Sequence, residues 1–248
     1  MKQNLTLLLA AFLMLGSTAA FAQTDDEDTS EAVTVTAVAD NVVEYKESPR
    51  KGYFSIMPEL ALFQSAAAER PGANRELSYL RFTFGVNLGV HYNYDFDEHF
   101  SAFIGLSIRN VGFTDKIGDL TIKRRVYNLG VPLGFRVGNL GRKNYALIGG
   151  GIDVPFNYRE KSWTDRKHKT KSSEWFSDRT PEIMPYLFAG IGIKTGLVVR
   201  FNFYPSNFFN TSYEETTAGV TRRPYIGYDA RLLTLSLGYN MSFSKGSR

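Results

Sequence analysis

The stretch that decides the fold is LRFTFGVNLGVHYNY, residues 80–94, in which apolar side chains alternate strictly with polar or small ones. A period of two places the two sets on opposite sides of a β-strand. The run is longer than most strands of globular proteins, which commonly have about five or six residues. It predicts a tilted strand that crosses a bilayer and extends beyond it. The apolar side consists of Leu80, Phe82, Phe84, Val86, Leu88, Val90, Tyr92 and Tyr94.

Seven further segments repeat this alternation, at residues 53–63, 100–113, 122–137, 145–158, 182–194, 197–208 and 225–243. Together they predict an all-β protein, an antiparallel up-and-down transmembrane barrel of eight strands, with ten strands left open. The connections are short after the second, fourth and sixth segments and longer after the others. That alternation of turn and loop lengths is typical of membrane barrels.

The remaining chain divides by composition. Residues 1–22 combine a basic start, a short apolar run and the small residues Ala20 and Ala22, which is the pattern of a cleavable signal peptide. Residues 23–52 are acidic and predict a disordered periplasmic leader, followed by the barrel over 53–243 and a short periplasmic tail over 244–248. The chain has no cysteine, which excludes disulfides and thiol chemistry.

Three features place the apolar face outside. Glycines crowd the polar rows, which suits the narrow interior of an eight-stranded barrel. Aromatic residues gather toward the strand ends, as at a membrane interface. The last strand, SLGYNMSF at 236–243, resembles the assembly signal of outer-membrane barrels, carried here by Ser236, Gly238, Met241 and Phe243.

The chain resembles the small outer-membrane β-barrel domain family. The resemblance lies in this last strand and in the stretches YNLGVPLGF at 127–135 and RFNFYPSNFF at 200–209. The OmpA/OmpX-like size class fits best, without a peptidoglycan-binding domain. The resemblance implies an outer-membrane location in a Gram-negative-type bacterium, with both termini in the periplasm. It also implies contact with outer-membrane lipid, with lipopolysaccharide and, during biogenesis, with the barrel-assembly machinery. It is silent on activity, because one fold hosts many functions.

The polar rows predict a charged network in the lumen, formed by Glu59, Arg81, Arg109, Arg136, Asp153, Lys194 and Arg200. One interpretation is a channel lining, and the other is a plug of paired charges. The plug is favoured because eight strands enclose little space and buried charges are tolerated when they pair. Two acids then face five bases, an excess that pairing alone does not balance.

A basic segment between the fifth and sixth strands predicts the main outer surface site. It also holds both tryptophans of the chain. One interpretation is contact with lipopolysaccharide phosphates, and the other is recognition of an acidic ligand or a surface protein. Nucleic acid is not expected for an exported chain. The predicted contact residues are Arg159, Lys161, Trp163, Arg166, Lys167, Lys169, Lys171 and Trp175.

The sequence does not favour an enzyme. His99 and Ser101 have the spacing of a His-x-Ser pair found in a lipid-A deacylase of this barrel size, but they fall at a predicted periplasmic turn. No cluster has metal-ligand spacing, so no cofactor and no metal are expected. We therefore predict a non-enzymatic barrel with a structural or surface-interaction role. The alternatives are an outer-leaflet lipid-modifying enzyme and, with ten or more strands, a small pore.

Overall fold

The computed structural model describes residues 52–72, 74–164 and 169–242. Within these ranges, no helix is long and apolar enough to cross a membrane. Several predictions fall outside the described residues: the signal peptide, the leader as far as residue 51, Phe243 and the tail.

The regular elements of the described residues are all strands, in the order β1 (Tyr53–Glu69), β2 (Glu76–Leu77), β3 (Arg81–Asp95), β4 (Phe100–Ile117), β5 (Leu120–Asn139), β6 (Asn144–Trp163), β7 (Lys169–Trp175), β8 (Met184–Gly192), β9 (Leu197–Phe203), β10 (Glu215–Thr217), β11 (Val220–Arg222), β12 (Asp229–Tyr239) and β13 (Met241–Ser242).

Eight of these strands close into a barrel. The main sheet runs β12-β9-β8-β6-β5-β4-β3-β1, and β1 also pairs with β12, so the sheet has no free edge at the closure. Every pairing between neighbouring barrel strands is antiparallel. The predicted fold class is confirmed, and the strand number is eight rather than ten.

One end of the barrel rises much higher than the other. At the short-turn end, β3 joins β4, β5 joins β6, and β8 joins β9 through turns of a few residues. At the opposite end, which we call the extended end, β4 and β5 continue as a hairpin until only Gly118 and Asp119 separate them. β6 likewise continues to Trp163 and pairs there with β7.

The connection between the fifth and sixth predicted segments, residues 159–181, is therefore a strand extension rather than a loop for much of its length. β6 and β7 pair from Asn157 with Trp175 to Trp163 with Lys169. Both faces of this hairpin carry polar side chains, so the alternation of apolar residues ends there. The backbone pairing nevertheless continues, because hydrogen bonding between strands does not require an apolar face.

An apolar belt surrounds the barrel between two aromatic rows. On β5 it runs from Val137 to Tyr127, and Leu133 at its middle is 52% exposed. Ten residues at about 3.3 Å each, tilted by about 40°, rise roughly 25 Å, which is the height of the apolar band of membrane barrels. Near the short-turn end, the rings of Phe96, Phe100 and Phe135 stack with centroids 5.2 and 5.7 Å apart.

Inside the barrel, large side chains lie against glycines of the neighbouring strands. A side chain at Gly149 would place its Cβ 2.5 Å from the Phe188 ring, and one at Gly134 would lie 2.8 Å from the same ring. Both positions must therefore lack a side chain. The glycines of the polar rows provide the room that the inward aromatic rings occupy.

A separate apolar core fills the extended end. The segment 204–228, which we call the cap, folds against the inward faces of β4 and β6. There the ring centroids of Phe113 and Phe208 lie 5.3 Å apart, and the Phe209 ring stacks on Tyr225 with centroids 4.3 Å apart. Phe113, Phe208 and Phe209 are almost completely buried. The part of the sheet beyond the apolar belt is thus supported from within by a core.

We expect Leu133→Arg to destabilise the protein by about 2–4 kcal/mol, because it places a charge at the middle of the belt. The matched control is Thr121→Arg, which introduces the same side chain on the outward face of the same strand beyond the belt. Urea unfolding of protein refolded into lipid vesicles, followed by heat-modifiable gel mobility, measures both. Equal losses for the two variants would contradict the position of the belt.

Candidate functional site

The structure brings most of the predicted lumen residues together. Glu59, Arg109, Arg136, Asp153 and Arg200 are each at most 3% exposed and face the barrel interior. Arg200 Nη2 donates to Glu59 Oε2 at 2.7 Å. Asp153 Oδ2 accepts hydrogen bonds from the Tyr204 hydroxyl at 2.7 Å and from Asn128 Nδ2 at 3.2 Å. Both predicted acids are thus engaged within the lumen.

The prediction for Lys194 is wrong. β8 ends at Gly192, and Lys194 is exposed in the turn that leads to β9. The turn is closed by the Gly196 amide donating to the Ile193 carbonyl, with Gly196 at φ +90°. The sequence alternation continues through Lys194, but this tight turn reverses the chain there and directs the lysine away from the lumen.

Arg81 is buried, but it lies at the extended end of the wall rather than in the middle of the lumen. The ladder between β3 and β4 ends at Leu88 and Ile108. Beyond it, side chains connect the strands: Gln64 Nε2 donates to the Asn110 carbonyl, and Arg81 Nη1 donates to Gln64 Oε1. Arg81 therefore helps to hold this part of the wall together.

The lumen arginines are accommodated by aromatic rings as well as by acids. Arg109 lies 4.2 Å from the ring centre of Tyr186, Arg136 lies 4.8 Å from Phe103, and Arg200 lies 5.2 Å from Phe188. A guanidinium over an aromatic face is attracted electrostatically, more strongly where water is absent. Sequence reasoning missed these inward aromatics, because it placed apolar residues outside.

The buried charges are also closer to balance than the sequence indicated. Among the described residues, the buried acids are Glu59, Asp95, Asp115 and Asp153, and the buried arginines are Arg81, Arg109, Arg124, Arg136 and Arg200. Relative to the predicted set, Lys194 is absent, and Asp95, Asp115 and Arg124 are added. The two added acids were missed because they lie beyond the clearest alternation of their strands.

Two hubs of polar contacts hold the cap. Asp115 accepts hydrogen bonds from Arg70 at 2.8 Å and from the Tyr228 hydroxyl at 2.5 Å, and burial together with this bond raises the pKa of Tyr228. Arg179 donates to Glu174 at 3.0 Å and to Glu215 at 2.8 Å, joining β7 to β10. The cap and the β6–β7 hairpin thus form one connected structure.

A basic face covers the outward side of β5, β6 and β7 at the extended end. Its residues alternate with inward residues such as Val126 and Tyr158, which are at most 1% exposed. We call these outward residues the basic face. From the belt upward its rows are Tyr127–Asn157–Trp175, Arg125–Arg159–Ser173, Lys123–Lys161–Lys171 and Thr121–Trp163–Lys169.

Like charges therefore stand directly opposite one another on paired strands, an arrangement that destabilises a sheet. Burial, together with Arg81, Arg125 and Lys161, lowers the pKa of Lys123. The acids of the same strands do not relieve this repulsion. Glu160 and Glu174 belong to the inward set, where they bind Arg124 and Arg179.

The first row of the basic face is aromatic. The Tyr127 ring lies 6.4 Å from Phe156, which stacks on Trp175 at 5.9 Å. Arg125 and Arg159 both lie over the Tyr127 ring, at 5.7 and 5.2 Å. The face thus passes from apolar belt to aromatic row to cations within a few residues.

The predicted contact residues divide into two groups. Arg159, Lys161 and Trp163 lie on β6, and Lys169, Lys171 and Trp175 lie on β7, all in the outward rows. Arg166 and Lys167 lie outside the described residues. Sequence reasoning missed Tyr127, Arg125 and Lys123, although they continue the outward parity of Leu129 along β5.

The other predicted positions lie elsewhere. Ser236 and Gly238 of the assembly signal are buried and face the lumen, whereas Met241 is exposed on β13. His99 is exposed in a turn and Ser101 is fully buried, both at the short-turn end, far from the basic face. In the part of the chain that the structure describes, no group of three or more acids and histidines is placed to hold a metal ion.

A closed eight-stranded barrel with an apolar belt, a polar and aromatic interior and aromatic rows at the belt edges defines a transmembrane β-barrel. No protein-family model and no curated protein matches the sequence. Two crystal structures of Ail, the attachment invasion locus protein of Yersinia pestis, are similar in fold, one of them in complex with the heparin analogue sucrose octasulfate. Each is 13% identical, with a TM-score of 0.35, and covers 78% of this chain and 100% of the other. So distant a likeness carries no argument about activity.

We expect Lys123 to lose its proton at lower pH than an ordinary lysine, because burial and three neighbouring cations disfavour its charged form. The unfolded chain, with a lysine pKa near 10.5, then binds more protons than the folded one. The free energy of unfolding should therefore rise with pH between the lowered pKa and 10.5.

NMR titration of ¹³C-methylated lysines checks this expectation, with the signal assigned by its loss in Lys123→Arg. The reference is the Lys123 signal of the same protein unfolded in urea. Arg125→Gln should raise the Lys123 titration midpoint of the folded protein toward that of the unfolded one, because it removes one of the neighbouring cations. Identical Lys123 midpoints in the folded and the unfolded chain would contradict the crowding of charge on the basic face.

Proposed function

We propose that this chain is a non-enzymatic outer-membrane β-barrel whose basic face binds lipopolysaccharide phosphates through Arg125 and Arg159. In this proposal the extended end faces the outside of the cell and both termini lie in the periplasm. The last strand, with Ser236 and Gly238, serves as the signal for the barrel-assembly machinery. The role of the protein is structural or interactive at the surface.

The observation that carries the proposal is the set of like-charged rows across β5, β6 and β7. Opposed cross-strand residues have Cβ atoms about 4.5–5.5 Å apart, close enough for repulsion to cost stability. The acids of these strands face inward and are paired there. An anion bound outside would relieve the repulsion, and basic residues near a membrane surface are attracted to anionic head groups.

The depth of the arginine row supports lipid phosphates as that anion. Two residues along a tilted strand rise about 5 Å, so Arg125 and Arg159 stand about 5 Å beyond the aromatic row. The interfacial layer on each side of a bilayer is roughly 5–7 Å thick. Arg125 and Arg159 thus occupy the depth of head-group phosphates, and their planar guanidinium groups suit such acceptors.

We expect Arg125→Gln with Arg159→Gln to remove the preference for phosphorylated lipid, because the arginine row supplies the donors. Thermal stability is compared in nanodiscs that contain either lipid A or dephosphorylated lipid A. The unchanged chain should be more stable with the phosphorylated form, and the double variant should be equally stable in both.

The matched control for this experiment is Arg142→Gln with Lys194→Gln, which removes the same charge at the short-turn end. That control should keep the full preference for phosphorylated lipid. A preference that persists in the Arg125 and Arg159 variant, or that disappears in the control, would contradict the proposal.

We also propose that the lumen is plugged. The rings of Tyr186 and Phe188 project into it and lie against glycines of other strands. Arg109 lies over the Tyr186 ring, and Arg200 lies over the Phe188 ring. The protein should show no steady conductance in a planar bilayer. Tyr186→Gly with Phe188→Gly, which removes both rings, should introduce measurable conductance if it folds by heat-modifiable mobility. Steady conductance of the unchanged chain would favour a pore instead.

A further inference from the structure

The upper rows of the basic face lie beyond the reach of lipid phosphates. The lysine row stands about 10 Å and the Trp163 row about 15 Å above the aromatic row, on the same estimate of about 5 Å per pair of residues. Head groups occupy only roughly 5–7 Å of that height. Lys123, Lys161 and Lys171 therefore need an anion from another source.

This upper part combines cations with an aromatic ring. Lys161 Nζ lies 5.5 Å from the centre of the Trp163 ring, and Lys169 is paired opposite Trp163 on β7. The three lysines of the row below stand on adjacent strands, about 4.8 Å apart from strand to strand. The surface offers a regular series of positive charges that ends at an indole.

We propose that these upper rows bind an anionic carbohydrate chain, with one sugar ring against Trp163 and its acidic groups on the lysine row. This inference rests on the proposed function and extends it from lipid phosphates to a glycan. The C–H face of a pyranose ring packs on an aromatic ring, while sulfate, phosphate or carboxylate groups pair with lysine. The strand spacing is comparable to the repeat of a pyranose chain, so successive acidic groups meet successive strands.

Rigidity favours this ligand as well. β5, β6 and β7 are paired over this region. Just below it, Val126 and Tyr158 belong to the apolar core, and Arg179 ties Glu174 of β7 to the cap. A surface that is already ordered loses little conformational entropy when it binds. Inorganic polyphosphate would use the lysines but gain nothing from Trp163, which is the feature that separates the two ligands.

The test uses the full chain in nanodiscs of zwitterionic lipid, titrated with a sulfated tetrasaccharide by calorimetry. The expected result is saturable binding, much weaker for the desulfated tetrasaccharide. Trp163→Ala should lower the affinity for the sulfated sugar roughly tenfold, the scale of losing one aromatic contact. The same variant should bind inorganic polyphosphate as the unchanged chain does.

Lys123→Gln with Lys161→Gln and Lys171→Gln should abolish binding of both anions, whereas Arg142→Gln with Lys143→Gln and Lys194→Gln should not. Failure of Trp163→Ala to weaken sugar binding, or tighter binding of a single-stranded oligonucleotide of equal charge, would overturn the glycan assignment. Competition with polysaccharide released from the outer membrane of the expressing bacterium distinguishes a resident glycan from a foreign one.

This outcome is separable from that of the lipid A experiment. Loss of the preference for phosphorylated lipid depends on Arg125 and Arg159, while sugar recognition depends on Trp163. Sugar binding without a lipid preference would reject the proposed function alone. A lipid preference with no effect of Trp163→Ala would reject the glycan alone.

Discussion

Closure of the sheet is the constraint on which the rest of this structure depends. Backbone groups in a bilayer must bond within the protein, and a barrel achieves this only when its last strand pairs with its first. In this chain β12 pairs with β1. Closure with eight strands leaves a narrow interior that must be filled by side chains.

The filling of that interior explains both the glycines and the arginines. Several inward aromatic rings lie against a position without a side chain, as Phe188 does at Gly134 and Gly149. Arginine guanidinium groups lie over these rings, as Arg200 does over Phe188. The buried acids accept hydrogen bonds from arginines as well, as Glu59 does from Arg200. Aromatic faces and carboxylates both stabilise the buried arginines.

The extended end differs from the rest of the barrel in what its two faces carry. Above the belt the sheet leaves the membrane, its inward side becomes an apolar core with the cap, and its outward side becomes basic. The inversion is visible on β5, where Leu129 faces outward below and Val126 faces inward above. Strand pairing and the core beneath the lower rows hold the cations opposite one another, which is the arrangement on which the proposed binding of an anion rests.

The sequence by itself determined the architecture: eight alternating segments, the outward apolar face, and the inward positions of Glu59, Arg109, Arg136, Asp153 and Arg200. These follow from parity along a strand, which is a local property. It also identified the basic segment that contains Lys161 and Trp163. It did not show that this segment is a hairpin, because strand pairing without an apolar face leaves no periodic signal.

Only the tertiary structure decided which strands stand beside one another at each height. It placed Lys123 opposite Lys161, and Lys161 opposite Lys171, and it turned Lys194 out of the lumen. It also set Arg109 over Tyr186, residues that are far apart in sequence. Such contacts depend on register and on turns across the whole sheet, and no single stretch of residues encodes them.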